Sequence, residues 1–377
     1  MRGRFFAPLL ALLCLWAVAC CSPRRAPAQA DPLTADSIRA VPVHRFDFES
    51  DPPDDPTLTP EELSGIAWIG DDRFLAVGDA HAALHRLTIR VDPRTGRVLS
   101  AEIAGAIPLR DESGARVPEP AMAEDREALA YDPAREEVWV ANEHTGTDKR
   151  RPSIARHRVS DGRATALLRM NADSVLSVFD RARSNRGFES LARASDGTVW
   201  TANEDALRID GPIGGRTEGG VVRLQRLDAE MIPGAQHAYR VDPWSMRIRS
   251  PGLLSGREIS GLSELVALPG GRLLALERAL CGDRGGVATL RSRLYLVDVS
   301  GATDVSAREF RSGLAGKSYV AARKVLLWQE TWGLTNSNFE AMTLGPTLED
   351  GSRLLILLAD NNAGTSQALF TMRMSGR

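Results

Sequence analysis

Three glutamates, Glu127, Glu189 and Glu340, each stand just ahead of an apolar run: Ala128-Leu129-Ala130, Ser190-Leu191-Ala192 and Ala341-Met342-Thr343. If the fold brings them to one centre, their carboxylates repel and raise one another's pKa unless a cation holds them. A hard cation such as Ca²⁺ takes several oxygen ligands, which Asp, Glu and carbonyl groups supply. Asp360 closes the apolar run that follows Glu340 and joins the three as a candidate metal ligand. Arg126, Arg186 and Arg278 sit beside acidic residues. Their guanidiniums have the forked geometry that binds phosphate, so they are candidate substrate-binding groups. Asp79, Glu143, Glu204 and Glu277 end comparable runs and either add a further acidic ring or lie in outer loops. In a purely structural alternative the glutamates accept backbone N–H bonds and the arginines are their ion-pair partners.

The elements that carry these residues repeat. Asn185 to Ala192, the turn Asp196-Gly197, and Thr198 to Glu204 read as two strands joined by a tight turn, since Asp-Gly between apolar runs is a hairpin signal. The pattern returns around Glu62–Asp79, Asp125–Glu143, Ile259–Glu277 and Asn338–Asp360. Anchored on Ser64, Glu127, Glu189, Ser260 and Glu340, it recurs at intervals of about 60 to 80 residues, longer than ordinary propeller repeats. Further strand-like runs, such as Leu84–Val91 and Leu294–Val299, give each repeat material for about four strands. The expectation is a single all-β domain over residues 41–377, a β-propeller of five or six four-stranded blades. Val41–Phe48 pairs with Ala368–Met372 to close the ring and remove an exposed edge. Helical periodicity is confined to residues 172–182, and the glycine-rich stretch 211–220 reads as a long loop.

Net charge is −2, which implies no broad nucleic-acid footprint. Arg2 and Arg4 precede an apolar run from Phe5 to Ala19, an export signal over residues 1–20. Ala17-Val18-Ala19-Cys20 resembles a lipoprotein box with Cys20 as the lipidated residue, and Ala28-Gln29-Ala30 offers an ordinary cleavage site instead. Residues 21–40 read as a flexible tether. Either cleavage places the mature chain outside the cytoplasm, as a periplasmic or outer-envelope lipoprotein or as a secreted protein. Its membrane contact is then only a lipid at Cys20, and the expected state is a monomer. Cys281 is the one cysteine in the body of the fold, so no disulfide framework supports it.

Arg186-Gly187-Phe188-Glu189-Ser190-Leu191, Ile259-Ser260-Gly261-Leu262-Ser263-Glu264-Leu265, and Asn338-Phe339-Glu340-Ala341-Met342 with Ala359-Asp360-Asn361-Asn362 together resemble the phytase-like domain, or esterase-like phytase, family. The resemblance runs from about Glu61 to Met374. It implies a secreted or envelope β-propeller that hydrolyses phosphoesters. With the residues above, this gives a metal-assisted hydrolase of a small phosphorylated or ester substrate. The alternative is a non-catalytic envelope propeller that binds a ligand or protein partner. A serine esterase lacks support: there is no Gly-x-Ser-x-Gly elbow, and Ser64, Ser190 and Ser260 have no obvious base nearby. His81 and His85 have a four-residue spacing but no zinc-protease glutamate, and belong on a strand.

Overall fold

The computed structural model describes residues 38–50, 53–117, 125–143, 151–168, 174–215, 217–244, 260–282, 288–334, 337–361 and 366–376. The expected export signal over residues 1–20, with Cys20, and most of the expected tether lie outside them. Among the described residues, no helix is long and apolar enough to cross a membrane.

Strand β1 (Ile38–Glu49) begins three residues ahead of the expected one. The first blade is β2 (Leu63–Gly70), β3 (Arg73–Gly78), β4 (Ala83–Val91) and β5 (Val98–Pro108). The second is β6 (Arg126–Asp132), β7 (Glu137–Asn142), β8 (Ser153–Arg158) and β9 (Ala164–Leu167). The third is β10 (Phe188–Arg193), β11 (Val199–Asn203), β12 (Val221–Leu227) and β13 (Pro233–Arg240). The fourth is β14 (Ser260–Ala267), β15 (Leu273–Gly282), β16 (Ala288–Asp298) and β17 (Arg323–Trp332). The fifth is β18 (Asn338–Thr347), β19 (Arg353–Asp360) and β20 (Ser366–Gly376), completed on its outside by β1. The protein is therefore a five-bladed β-propeller. The innermost strands β2, β6, β10, β14 and β18 contact one another around the ring.

Closure follows the expected pairing, with Val41 opposite Arg373, Phe46 opposite Leu369 and Phe48 opposite Gln367. The core lies between blades. Five separate apolar clusters each join one neighbouring pair, as where Trp139 of the second blade meets Phe179 and Phe188 of the third. Trp139 and Trp200 thus pack between blades, as their places in the repeat suggest. The helical pattern at 172–182 becomes a short 3-10 helix, Val175–Arg181, capped by Ser174 Oγ on Leu176 N–H. It places Leu176, Val178 and Phe179 in the core.

Candidate functional site

Each blade carries one β-bulge at the same place, where its first two strands meet near their open end. In the first blade Leu63 faces Gly78 and Gly65 faces Val77, so Ser64 is the extra residue. The same step singles out Glu127, Glu189, Ser263 and Glu340 in the following blades. A bulge re-aims its extra side chain and recurs beside functional sites. The five bulges thus build a ring of Ser64, Glu127, Glu189, Ser263 and Glu340. The fourth member is Ser263, not the expected Ser260, because the extra residue lies three positions further along β14.

The paired strand supplies a second ring. The residue following each bulge partner is Asp79, Glu143, Glu204, Arg278 and Asp360 in turn. Glu277 is not part of it. Glu277 faces Leu262 across the strand pair and turns to Tyr239 Oη, which donates to it at 2.6 Å, and to Lys324. The ring position in the fourth blade therefore holds a guanidinium among carboxylates.

Within these rings, Glu127, Glu143 and Glu189 each offer an oxygen within 4.8 Å of the others, and Glu127 is shared with a second group, Asp79, Asp125 and Glu127. Burial lifts the Glu127 and Glu143 carboxyls well above the usual range, and neighbouring acids push them further: Asp79 on Glu127, Glu189 on Glu143. Asp79 rises for the same two reasons. Glu189 is pushed up to about 8 by burial and Glu204, against the pull of Arg278.

Arg278 bonds Glu204 Oε1 at 3.0 Å, Asn338 Oδ1 at 3.2 Å and Glu189 Oε1 at 3.4 Å, and also pairs with Glu340. Arg186 pairs with the other oxygen of Glu204. Burial works against both guanidinium charges, and the surrounding carboxylates, Glu204 foremost, together more than offset it. Asp360 accepts from Asn338 Nδ2 at 3.1 Å. The fold thus gathers Glu127 and Glu189 with Glu143, while Glu340 is engaged by Arg278 and Asp360 by Asn338. Arg126 faces elsewhere. In β6 it takes the place held by Leu63, Phe188, Leu262 and Phe339 in the other inner strands. There it lines a separate cavity of about 580 Å³ with Asn142, Ser153 and His157.

The donor set fits a hard cation. Glu143 Oε2, Glu189 Oε2 and Asp79 Oδ1 are buried and have no hydrogen-bond partner among the described residues. A proton shared between Glu143 and Glu189, or a cation, would satisfy both orphaned oxygens. The other oxygens are fixed: Gly187 N–H donates to Glu143 Oε1 at 2.9 Å. A Cβ on Gly187 would stand 2.1 Å from the Glu143 carbonyl oxygen, so only glycine permits this approach. Deeper in the channel, Glu264 accepts from Leu191 N–H and Leu265 N–H, each at 2.9 Å. Burial raises its pKa well above the usual range despite these bonds. Sequence reading placed Glu143 and Asp79 only in an optional ring and overlooked Asp125 and Glu264 as site residues. The identical position of Asp79 and Glu143 after the second strand was the available signal.

Among the described residues, Ser190 Oγ is buried without a hydrogen-bond partner, so no base stands against it. His85 lies in β4, and burial holds its pKa down at about 3, so it is a neutral core residue.

Several solved structures are similar to this chain at low identity. A member of the DUF4221 family from Bacteroides vulgatus is 6% identical with a TM-score of 0.40, covering 91% of this chain and 100% of that one. Kuenenia stuttgartiensis hydrazine synthase is 10% identical with a TM-score of 0.39, covering 84% of each chain. Bombyx mori β-fructofuranosidase is 10% identical with a TM-score of 0.40, covering 84% of this chain and 61% of that one. No curated protein matches the sequence. The family model described as "Phytase-like: Esterase-like activity of phytase" matches residues 60–363. That span takes in all five bulges and both rings, and the chain belongs to the phytase-like family.

Proposed function

We propose that the protein is a metal-assisted phosphoester hydrolase working at the carboxylate end of the propeller axis. The observation that carries this reading is the meeting of Glu127, Glu143 and Glu189, from two neighbouring blades, within 4.8 Å while two of their oxygens lack a hydrogen-bond partner among the described residues. These three would hold the cation, with Asp79 and Asp125 beside them, and Ca²⁺ suits an all-oxygen set. When bound, such an ion neutralises phosphate oxygens and lowers the pKa of water. Arg278 and Arg186 hold the far side of the site, where both pair with Glu204. The substrate is a small phosphorylated or ester compound. We place the protein outside the cytoplasm, lipid-anchored at Cys20 or secreted, and expect a monomer.

The test is hydrolysis of phosphomonoesters by the purified chain. Activity that EDTA removes and Ca²⁺ restores supports the proposal. One observation favours a second reading. Arg186 and Arg278 already have carboxylate partners, which leaves fewer free forks for phosphate. A non-catalytic propeller that binds a ligand or protein partner would then be inert on every phosphoester with Ca²⁺ present.

A further inference from the structure

The axial channel has a second end. Three consecutive residues from the later half of each innermost strand (66–68, 129–131, 191–193, 265–267 and 342–344) surround a cavity of about 210 Å³. Every one of these strands is the edge of its sheet. Its unpaired backbone N–H and C=O groups therefore face the channel.

One more residue reaches the cavity from outside the inner ring: Arg353, the first residue of β19. Its Nε and Nη2 donate to Gly345 O at 3.2 and 2.8 Å, and its guanidinium lies 5.6 Å from the Trp68 ring centre. Trp68 is in turn fixed, its backbone N–H donating to Thr343 Oγ1 at 3.3 Å and its Nε1 to Asp71 O at 2.8 Å. No carboxylate pairs with Arg353 among the described residues. Burial alone lowers its pKa, with no acid opposing the shift. The other cation at this end, Arg193, is engaged by Asp132 at 2.8 Å.

A partly buried charge without a counter-ion is costly, yet this one is held rigidly by two hydrogen bonds and an aromatic face. The bonds to Gly345 use one edge of the guanidinium and leave the Nη1 and Nη2 end as a free fork, the geometry that receives an oxyanion. We propose that this end of the channel binds a small oxyanion, a carboxylate or a phosphate, through Arg353 seated on Trp68. The cavity volume limits the ligand to a small molecule. The site is separate from the acidic cluster and carries the opposite charge, so the channel is polarised along its axis.

The experiment titrates the full chain with benzoate and, separately, inorganic phosphate, in EDTA and at constant ionic strength. Calorimetry and thermal unfolding follow binding. EDTA keeps the carboxylate end free of metal, so the outcome does not depend on the hydrolase proposal. The expected result is saturable binding of at least one probe with a raised Tm. Arg353→Gln should weaken it by about tenfold or more. Trp68→Leu, which removes the aromatic seat and leaves the bonds of Arg353 to Gly345 in place, should weaken it as well. Absence of saturable binding to the unaltered protein overturns the proposal. So does unchanged affinity in either folded variant.

Discussion

Arg278 holds in the fourth blade the position that Glu204 holds in the third, and the two side chains meet at 3.0 Å. A sequence of acids at equivalent positions is thus interrupted by one built-in cation. It neutralises the side of the ring formed by Glu189, Glu204 and Glu340. On the side formed by Glu127, Glu143 and Asp79 no ion pair with a cation is made among the described residues, and that side is where the proposed metal would sit.

Arg278→Gln therefore removes the counter-charge of three buried carboxylates. Loss of one member of a buried ion pair costs about 3–5 kcal/mol. Urea unfolding at pH 8 should show a loss of this order, and a smaller one at pH 5, where Glu189 holds its proton. Added Ca²⁺ should raise the Tm of the variant more than that of the unaltered protein. An equal loss at both pH values would contradict this account of Arg278.

Metal-free stability should fall as pH rises. Glu189 titrates near 8 in the fold against 4.5 for a free glutamate, so between those values the folded chain holds a proton that the unfolded chain has lost. Stability is then full below about 4.5 and declines until pH passes about 8. Glu127, Glu143, Asp79 and Glu264 are shifted in the same direction and steepen the decline. Ca²⁺ should flatten it and release protons on binding, which calorimetry in buffers of different ionisation enthalpy measures. A Tm in EDTA that climbs from pH 5 to pH 8 would refute the proposed protonation.

Glu264 works as a structural acid. Glu264→Gln keeps an oxygen for the Leu191 and Leu265 amides and should change stability by less than about 1 kcal/mol at pH 7. Glu264→Ala leaves both N–H groups unsatisfied in the channel and should cost about 2–5 kcal/mol. Denaturant unfolding separates the two. Equal effects would mean that the hydrogen bonds contribute little.

Gly187 couples the third blade to the candidate metal cluster. Gly187→Ala places a methyl against the Glu143 carbonyl and must displace that residue. The Ca²⁺-dependent rise in Tm should shrink sharply in a protein that still folds. Ala at Gly301, where a Cβ meets nothing within 4 Å, is the control and should leave the rise intact.

The propeller was legible because its signals are local. Turn dipeptides such as Asp196-Gly197 separate apolar runs of strand length, and repetition fixes the class. The blade count was left between five and six because loops of unequal length obscure the period. The site was legible in residue type but not in register. Glu127, Glu189 and Glu340 stand out because the same acid follows the same pattern, whereas the serine of the fourth blade could be placed at 260 or 263. Only the bulge decides between them, and a one-residue step moves a side chain to the opposite face. The same step exchanges Glu277 for Arg278 and turns a uniformly acidic ring into one with an internal counter-ion. Arg126 lies apart from the acidic cluster for a related reason: neighbouring an acid in sequence does not place a strand residue on the same face.

Calorimetric titration of the EDTA-stripped chain with Ca²⁺ tests the central claim most directly. The account predicts saturable binding that weakens by at least about tenfold in Glu127→Gln and in Glu143→Gln. Both variants should be at least as stable as the unaltered protein in EDTA at pH 8, since glutamine carries no charge there. Absence of saturable binding for Ca²⁺, Mg²⁺ and Mn²⁺ alike, or full affinity in both variants, would mean that these carboxyls are held by protons alone.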